Sequence, residues 1–147
     1  MSDKVRILVV DDDQSVRTVF STKLAGEGYV VETAENGKQA IEMSKRQFYE
    51  LALIDIKLPD MEGTKLLSAM KEATPKMRKI IVTGHAELQN AISAVNEGAD
   101  GYLTKPVDLN ILVAKVKEQL KRRHDEVEYG QDKMLEHIQS RLRENPI

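Results

Sequence analysis

Four sets of polar residues follow short apolar runs in this 147-residue chain: Asp11, Asp12 and Asp13 after VRILVV, Asp55 after LALI, Thr83 closing KIIVT, and Lys105-Pro106 after GYLT. Carboxylates, a hydroxyl and an ammonium group are what a phosphate-handling site needs, provided the fold brings them together. Each has a plainer use when taken singly. An Asp run between a strand and a helix caps the helix, because its oxygens satisfy free N–H groups there, and Asp13 is expected to do only that. Asp55 can open a turn, Thr83 can be a β-branched strand residue, and Lys105 can be one more exposed lysine. Every set, however, sits at the same end of its apolar run, which favours one common site.

If those runs are neighbouring strands, the side chains converge on one cleft. Carboxylates held that close raise one another's pKa unless a cation intervenes. Hard oxygen donors without Cys or clustered His select Mg2+ or Mn2+, and Mg2+ takes phosphate oxygens as further ligands. An Asp carboxylate is then a nucleophile toward phosphorus. Lys105 and the Thr83 hydroxyl supply positive charge and a donor for the phosphoryl oxygens, so no strong base is required. Asp55 is the central member by sheet topology, while Asp11 and Asp12 hold the metal.

The elements that must position these groups are legible in the apolar pattern. Strands are predicted at Val5 to Val10, Tyr29 to Thr33, Leu51 to Ile54, Lys79 to Thr83 and Gly101 to Thr104, from short runs rich in β-branched residues. Helical spacing links Val16, Val19, Phe20 and Leu24, then Leu88, Ala91, Ile92 and Val95, then Leu109, Leu112, Val113, Val116 and Leu120. Weaker helices are expected near Lys38 to Lys45 and Thr64 to Lys71, and the glycines of "GEG" after Ala25 suit a helix C-cap. Five β–α units imply an α/β domain with a parallel sheet covered on both faces. Ligands in such sheets sit beyond the carboxyl ends of the strands, at the topological switch point.

The segments "ILVVDDD", "LALIDIKLPDMEG", "IIVTGHA" and "GADGYLTKP", in this order, resemble the signature of response-regulator receiver domains of two-component signal transduction, over about Lys4 to Lys121. The resemblance implies a flavodoxin-like fold with strand order 2-1-3-4-5. It implies that Asp55 accepts a phosphoryl group from a sensor histidine kinase or phosphotransfer protein. Asp12 would ligate Mg2+ directly, Asp11 through water, and Lys57 through its backbone carbonyl. Thr83 and Lys105 would contact the phosphoryl oxygens, and the Lys105-Pro106 bond would be cis. Tyr102 matches the switch aromatic, and Lys57 and His85 sit where side chains tune autodephosphorylation. The readout face would be helix 87–97, strand 101–104 and helix 107–121. Regulators that dimerise through that face usually carry "DDY" before the Lys-Pro segment and an aromatic after it. Here Asp100, Gly101 and Tyr102 are followed by Val107 beyond the proline, so the expectation is a monomer or a weak dimer, the latter through the C-terminal helix.

Composition bounds the alternatives. With 22 basic and 24 acidic residues the formal charge is −2, which disfavours electrostatic binding to nucleic acid or an anionic membrane. The absence of cysteine excludes disulfides, thiolate metal sites and thiol nucleophiles, and fits the cytoplasm. From Lys121 on, 27 residues hold six basic and six acidic side chains, too few apolar ones for a domain. Residues 1–122 are read as the receiver domain and 123–147 as a helical extension or linker, with Gly130 expected to break the helix. Val113, Leu120, Val127 and Met134 are seven apart, one seam of a coiled coil, although Arg123 and Gly130 interrupt it. A switching module rather than a turnover enzyme is expected. An Asp-nucleophile phosphatase of the haloacid-dehalogenase kind would need an acid two residues after Asp55, where Lys57 stands, and a constitutive interaction scaffold would not need the full acidic and basic set.

Overall fold

The computed structural model describes residues 4–73, 77–84, 94 and 98–144. Five strands, β1 (Arg6–Val10), β2 (Val30–Ala34), β3 (Leu51–Ile54), β4 (Arg78–Thr83) and β5 (Gly101–Thr104), alternate with α1 (Gln14–Gly26), α2 (Gly37–Arg46) and α3 (Gly63–Ala73), and a helix over Leu109–Glu144 follows β5. All four strand pairs are parallel and the order is β2-β1-β3-β4-β5. The helix expected over 87–97 lies outside the described residues apart from Ala94.

Period-two alternation sends the strand side chains to two cores. Leu8, Val10, Ala52, Ile54 and Ile81 face Ala40 of α2 and Leu66, Leu67 and Met70 of α3. Ile7, Val9, Leu51, Leu53, Ile80 and Val82 face Phe20 and Leu24 of α1 and Leu112, Val113 and Val116 of the C-terminal helix. Every residue of β3 is buried, as a central strand covered on both faces requires. Burying one such Ile or Leu side chain contributes about 2 kcal/mol.

Local chemistry sets the ends of α1. Asp13 is its N-cap, accepting from the Ser15 amide at 2.8 Å. At the other end Gly28 has φ +99°, and its amide donates to the Ala25 carbonyl while that of Tyr29 donates to Leu24. This paired pattern is a Schellman cap, which only glycine enters without steric cost.

The C-terminal helix differs from expectation: it runs 36 residues, through Gly130, without a break. A glycine there costs about 1 kcal/mol, too little to end a helix held firmly along the turns that precede it. Ion pairs one turn apart, Lys121 with Asp125 and Arg122 with Glu118, both at 3.0 Å, each add a few tenths. The domain also holds the helix beyond its apolar seam. Arg78 of β4 pairs with Glu126 at 2.6 Å and with Asp100 at 2.9 Å, and the Arg123 guanidinium lies 5.2 Å from the centroid of the Phe48 ring. Further out, Met134, Leu135, Ile138 and Leu142 are exposed. Among the described residues no helix is long and apolar enough to cross a membrane.

Candidate functional site

The order of the sheet reverses at β1, whose neighbours β2 and β3 feed helices on the same face while α1 packs on the other. A crevice opens beyond the carboxyl ends of strands at such a point. Register places the polar residues around it. Val10 pairs with Ile54, so Asp11 and Asp55 emerge side by side. Thr83 pairs with Thr104, one residue before Lys105.

The side chains converge accordingly. Asp11, Asp12 and Asp55 each offer a carboxylate oxygen, and these atoms lie within 4.8 Å of one another. Lys105 Nζ donates to Asp11 Oδ2 at 2.7 Å and to Asp55 Oδ2 at 3.1 Å. Asp11 and Asp55 are buried and Asp12 is exposed. Thr83 is fully buried at the end of β4, and its carbonyl accepts from the Lys105 amide at 2.8 Å. The Lys105-Pro106 peptide is cis.

Electrostatics follows from this packing. Burial pushes the Asp11 carboxyl above its usual range, aided by the charge of Asp55 and opposed by Lys105 and the Asp13 amide. Burial of Lys105 works against its ammonium form, but hydrogen bonds to Asp11 and Asp55 outweigh it and hold its pKa above the ordinary lysine value. The cluster therefore carries a fixed cation beside a buried Asp11 carboxylate that further positive charge would stabilise. Three hard oxygen donors, one of them solvent-facing, fit a divalent ion of the Mg2+ class.

A closed loop carries Asp55 into α3. The Lys57 amide donates to Asp55 Oδ1 at 3.3 Å, Lys57 and Glu62 form an antiparallel bridge, and the Leu58 amide donates to the Met61 carbonyl at 3.2 Å. Gly63 starts α3 against the Asp55 carbonyl and 2.7 Å, measured from an added Cβ, from Ile56 Cα. The Lys57 side chain is exposed, and no acidic group occupies that position.

Other predicted residues fall as follows. Tyr102 lies on β5, half-buried, packed against the core on the α2–α3 face. An added Cβ at Gly84 meets no described atom within 4 Å. His85 lies outside the described residues. His124 and His137 are exposed on the C-terminal helix. Three further residues contribute without standing out in the sequence. The Arg17 guanidinium donates to the Asp11 carbonyl at 2.8 Å, Gly63 is in close backbone contact, and Asp60 accepts from the amides of Gly37 and Lys38. Pro59-Asp60 does read as a turn, yet the partner of Asp60 is 22 residues away in the chain, beyond any local spacing rule.

Comparison with known proteins agrees with this geometry. A sequence model described as response regulator receiver domain matches residues 7–117. The DNA-binding transcriptional regulator NtrC of Escherichia coli (strain K12) is 41% identical over 110 residues, 75% of this chain and 24% of that protein. The chain thus spans about a quarter of the length of the curated relatives it matches. The crystal structure of a CheY-like receiver domain protein from Methanospirillum hungatei JF-1 superposes with a TM-score of 0.83 at 44% identity, covering 84% of this chain and 99% of that one. A response regulator from Burkholderia pseudomallei, crystallised with a phosphorylated aspartic acid, a calcium ion and citrate, gives 0.74 at 27% identity, covering 97% of this chain and 86% of that one. With a parallel 2-1-3-4-5 sheet, an acidic cluster at its switch point and a lysine bridging two of the acids, the chain belongs to the response regulator receiver domain family, the signalling switches of two-component systems.

Proposed function

We propose that Asp55 is the phosphoryl acceptor of this receiver, and that a sensor histidine kinase or phosphotransfer protein supplies the group from a phosphohistidine. The observation that carries this reading is the bridging of Asp11 and Asp55 by Lys105 at the carboxyl edge of the sheet. The phosphorylated aspartic acid of the Burkholderia pseudomallei regulator supports it. An Asp55 carboxylate oxygen forms a bond to phosphorus as the P–N bond to the donor imidazole breaks, and the imidazole nitrogen keeps the electron pair. Asp12, Asp55 and the Lys57 carbonyl would hold Mg2+ directly and Asp11 through water, with Mn2+ as a substitute. The ion, when bound, neutralises charge on the phosphoryl oxygens and offsets repulsion among the carboxylates. Lys105 and the Thr83 hydroxyl meet the remaining oxygens.

The product adds close to two negative charges beside Thr83 and Lys105. Thr83 and Lys105 lie next to β5 in register and sequence, so their movement reaches Tyr102 and shifts a pre-existing equilibrium of the readout face expected over 87–97, 101–104 and 107–121. Lys57 and His85 tune how fast water takes the phosphoryl group from Asp55, releasing inorganic phosphate and restoring the carboxylate. Residues 1–122 perform the switch in the cytoplasm and 123–147 are a helical extension or linker, the output being reached through protein contacts rather than direct binding to nucleic acid or a membrane. The chain acts as a monomer or weak dimer and is not a turnover enzyme.

Intact-mass measurement after incubation with acetyl phosphate tests the reading. One phosphoryl adduct is expected with Mg2+ and none with chelator. A chain that neither gains the adduct nor accelerates donor breakdown would rule out the acceptor role. Mg2+ alone is also expected to raise the thermal midpoint. At about ten times its dissociation constant it contributes about 1.4 kcal/mol of stability. Melting curves that superpose with and without Mg2+ would rule out the metal site.

A further inference from the structure

We infer that Asp60 is a positioning residue that clamps the tip of the phosphoacceptor loop to the start of α2 and thereby aims the Lys57 carbonyl and the Asp55 side chain. The inference rests on the roles proposed above for Asp55 and Lys57.

Two observations on opposite sides of the contact carry it. The first amides of a helix have no partner within it. In α2 the local sequence provides for one of them, because the N-cap Asn36 side chain accepts from the Gln39 amide at 2.8 Å while Gln39 Oε1 accepts from that of Glu35, also at 2.8 Å. The amides of Gly37 and Lys38 are left over. Both donate to the carboxylate of Asp60, one to each oxygen, at 2.9 Å. A negative group at that position also complements the helix dipole. These two bonds hold the Asp60 carboxyl below the usual carboxylate range.

The second observation is steric. Met61 lies so close over Gly37 that a Cβ added there would overlap its Sδ and come within 2.6 Å of its Cγ. Gly37 is buried. The loop tip therefore docks on α2 through a two-oxygen clamp and through close packing of the Met61 side chain on Gly37.

Between tip and base the loop has little freedom. The Lys57–Glu62 bridge, the Leu58–Met61 hydrogen bond and the Gly63 amide on the Ile56 carbonyl close it along its length. Its base is β3 and α3, its tip is α2, and Lys57 lies between them. Loss of outer groups that orient metal ligands commonly weakens metal binding by about ten-fold or more.

Mg2+ titration of the full chain, followed by calorimetry and by backbone NMR of residues 56–62, tests this on the native protein, Asp60→Ala, Asp60→Asn and Gly37→Ala. Asp60→Ala is expected to weaken Mg2+ binding about ten-fold, with acetyl phosphate labelling largely recovered at saturating Mg2+. Asp60→Asn keeps one acceptor oxygen and falls between. Gly37→Ala displaces Met61 from the α2 side, leaves the loop sequence intact and weakens binding in the same direction. A lowered thermal midpoint with unchanged Mg2+ affinity would make Asp60 a helix cap only and overturn the inference. If Asp60→Ala does not fold, Asp60→Asn and Gly37→Ala decide by the same criterion. A native chain that binds Mg2+ alongside variants that bind it equally well refutes the positioning role alone. A native chain that binds none refutes the functional reading on which it rests.

Discussion

Asp55→Asn is expected to take up no phosphoryl group from acetyl phosphate, at any Mg2+ concentration, in the intact-mass assay. The amide is nearly the same size as the carboxylate, and its oxygen still accepts from the Lys57 amide that lies 3.3 Å from Asp55 Oδ1. It lacks the negative charge that makes a carboxylate oxygen a nucleophile toward phosphorus. The other oxygen, now 3.1 Å from Lys105 Nζ, becomes an NH2 group, and Lys105 turns wholly to Asp11. Loss of function without loss of fold is therefore expected. The charge of Asp55 is one cause of the upward shift at buried Asp11, so its removal relieves repulsion, and the thermal midpoint is expected to hold or rise. A phosphoryl adduct that persisted on the variant would move the acceptor to another carboxylate of the cluster.

The second large effect is expected from Gly63→Ala. Its Cβ would overlap the carbonyl oxygen of Asp55 and lie 2.7 Å from Ile56 Cα. Both are backbone atoms, so no rotamer change relieves the contact, unlike the flexible Met61 side chain that faces Gly37. Either α3 withdraws from the end of β3 or the Asp55 carbonyl turns. Overpacking against rigid surroundings costs about 3 kcal/mol at the upper end of its usual range, readable as a lower urea midpoint. The larger consequence is kinetic. A displacement of about 1 Å in a reacting group can cost about 100-fold in rate, and Asp55 is the residue displaced. Labelling at the native rate by a fully folded Gly63→Ala protein would show that the loop absorbs the methyl group without moving its acceptor.

The sequence was most informative at short apolar runs, whether buried throughout as in β3 or only in part as in β5. β3 and β5 have the bounds expected of them, Leu51–Ile54 and Gly101–Thr104, because short apolar runs flanked by turn-forming residues admit few alternatives. Asp13 caps α1 as a local rule requires. The meeting of Lys105 with Asp11, 94 residues apart in the chain, was legible only through topology: alternating β and α elements bring all strand ends to one edge. Contacts outside that logic were not legible. Asp60 reaches back to α2 from a turn, and Arg123 finds Phe48 across the domain, with no periodicity linking either pair. Gly130 misled for a different reason. Its propensity penalty is local, whereas ion pairs and the hold of Arg78 on Glu126 act over several turns.

That hold has a mechanical consequence. Arg78 grips Glu126 and Asp100 at once, and Asp100 stands two residues before Tyr102 in the chain. From Glu126 to Glu144 the helix extends about 27 Å at its usual rise, so a tilt of about 10° at the grip carries its far end about 5 Å. The helix is a lever with its fulcrum beside β5. A rearrangement there too small to alter the fold becomes, at the tip, a displacement as large as a helical turn.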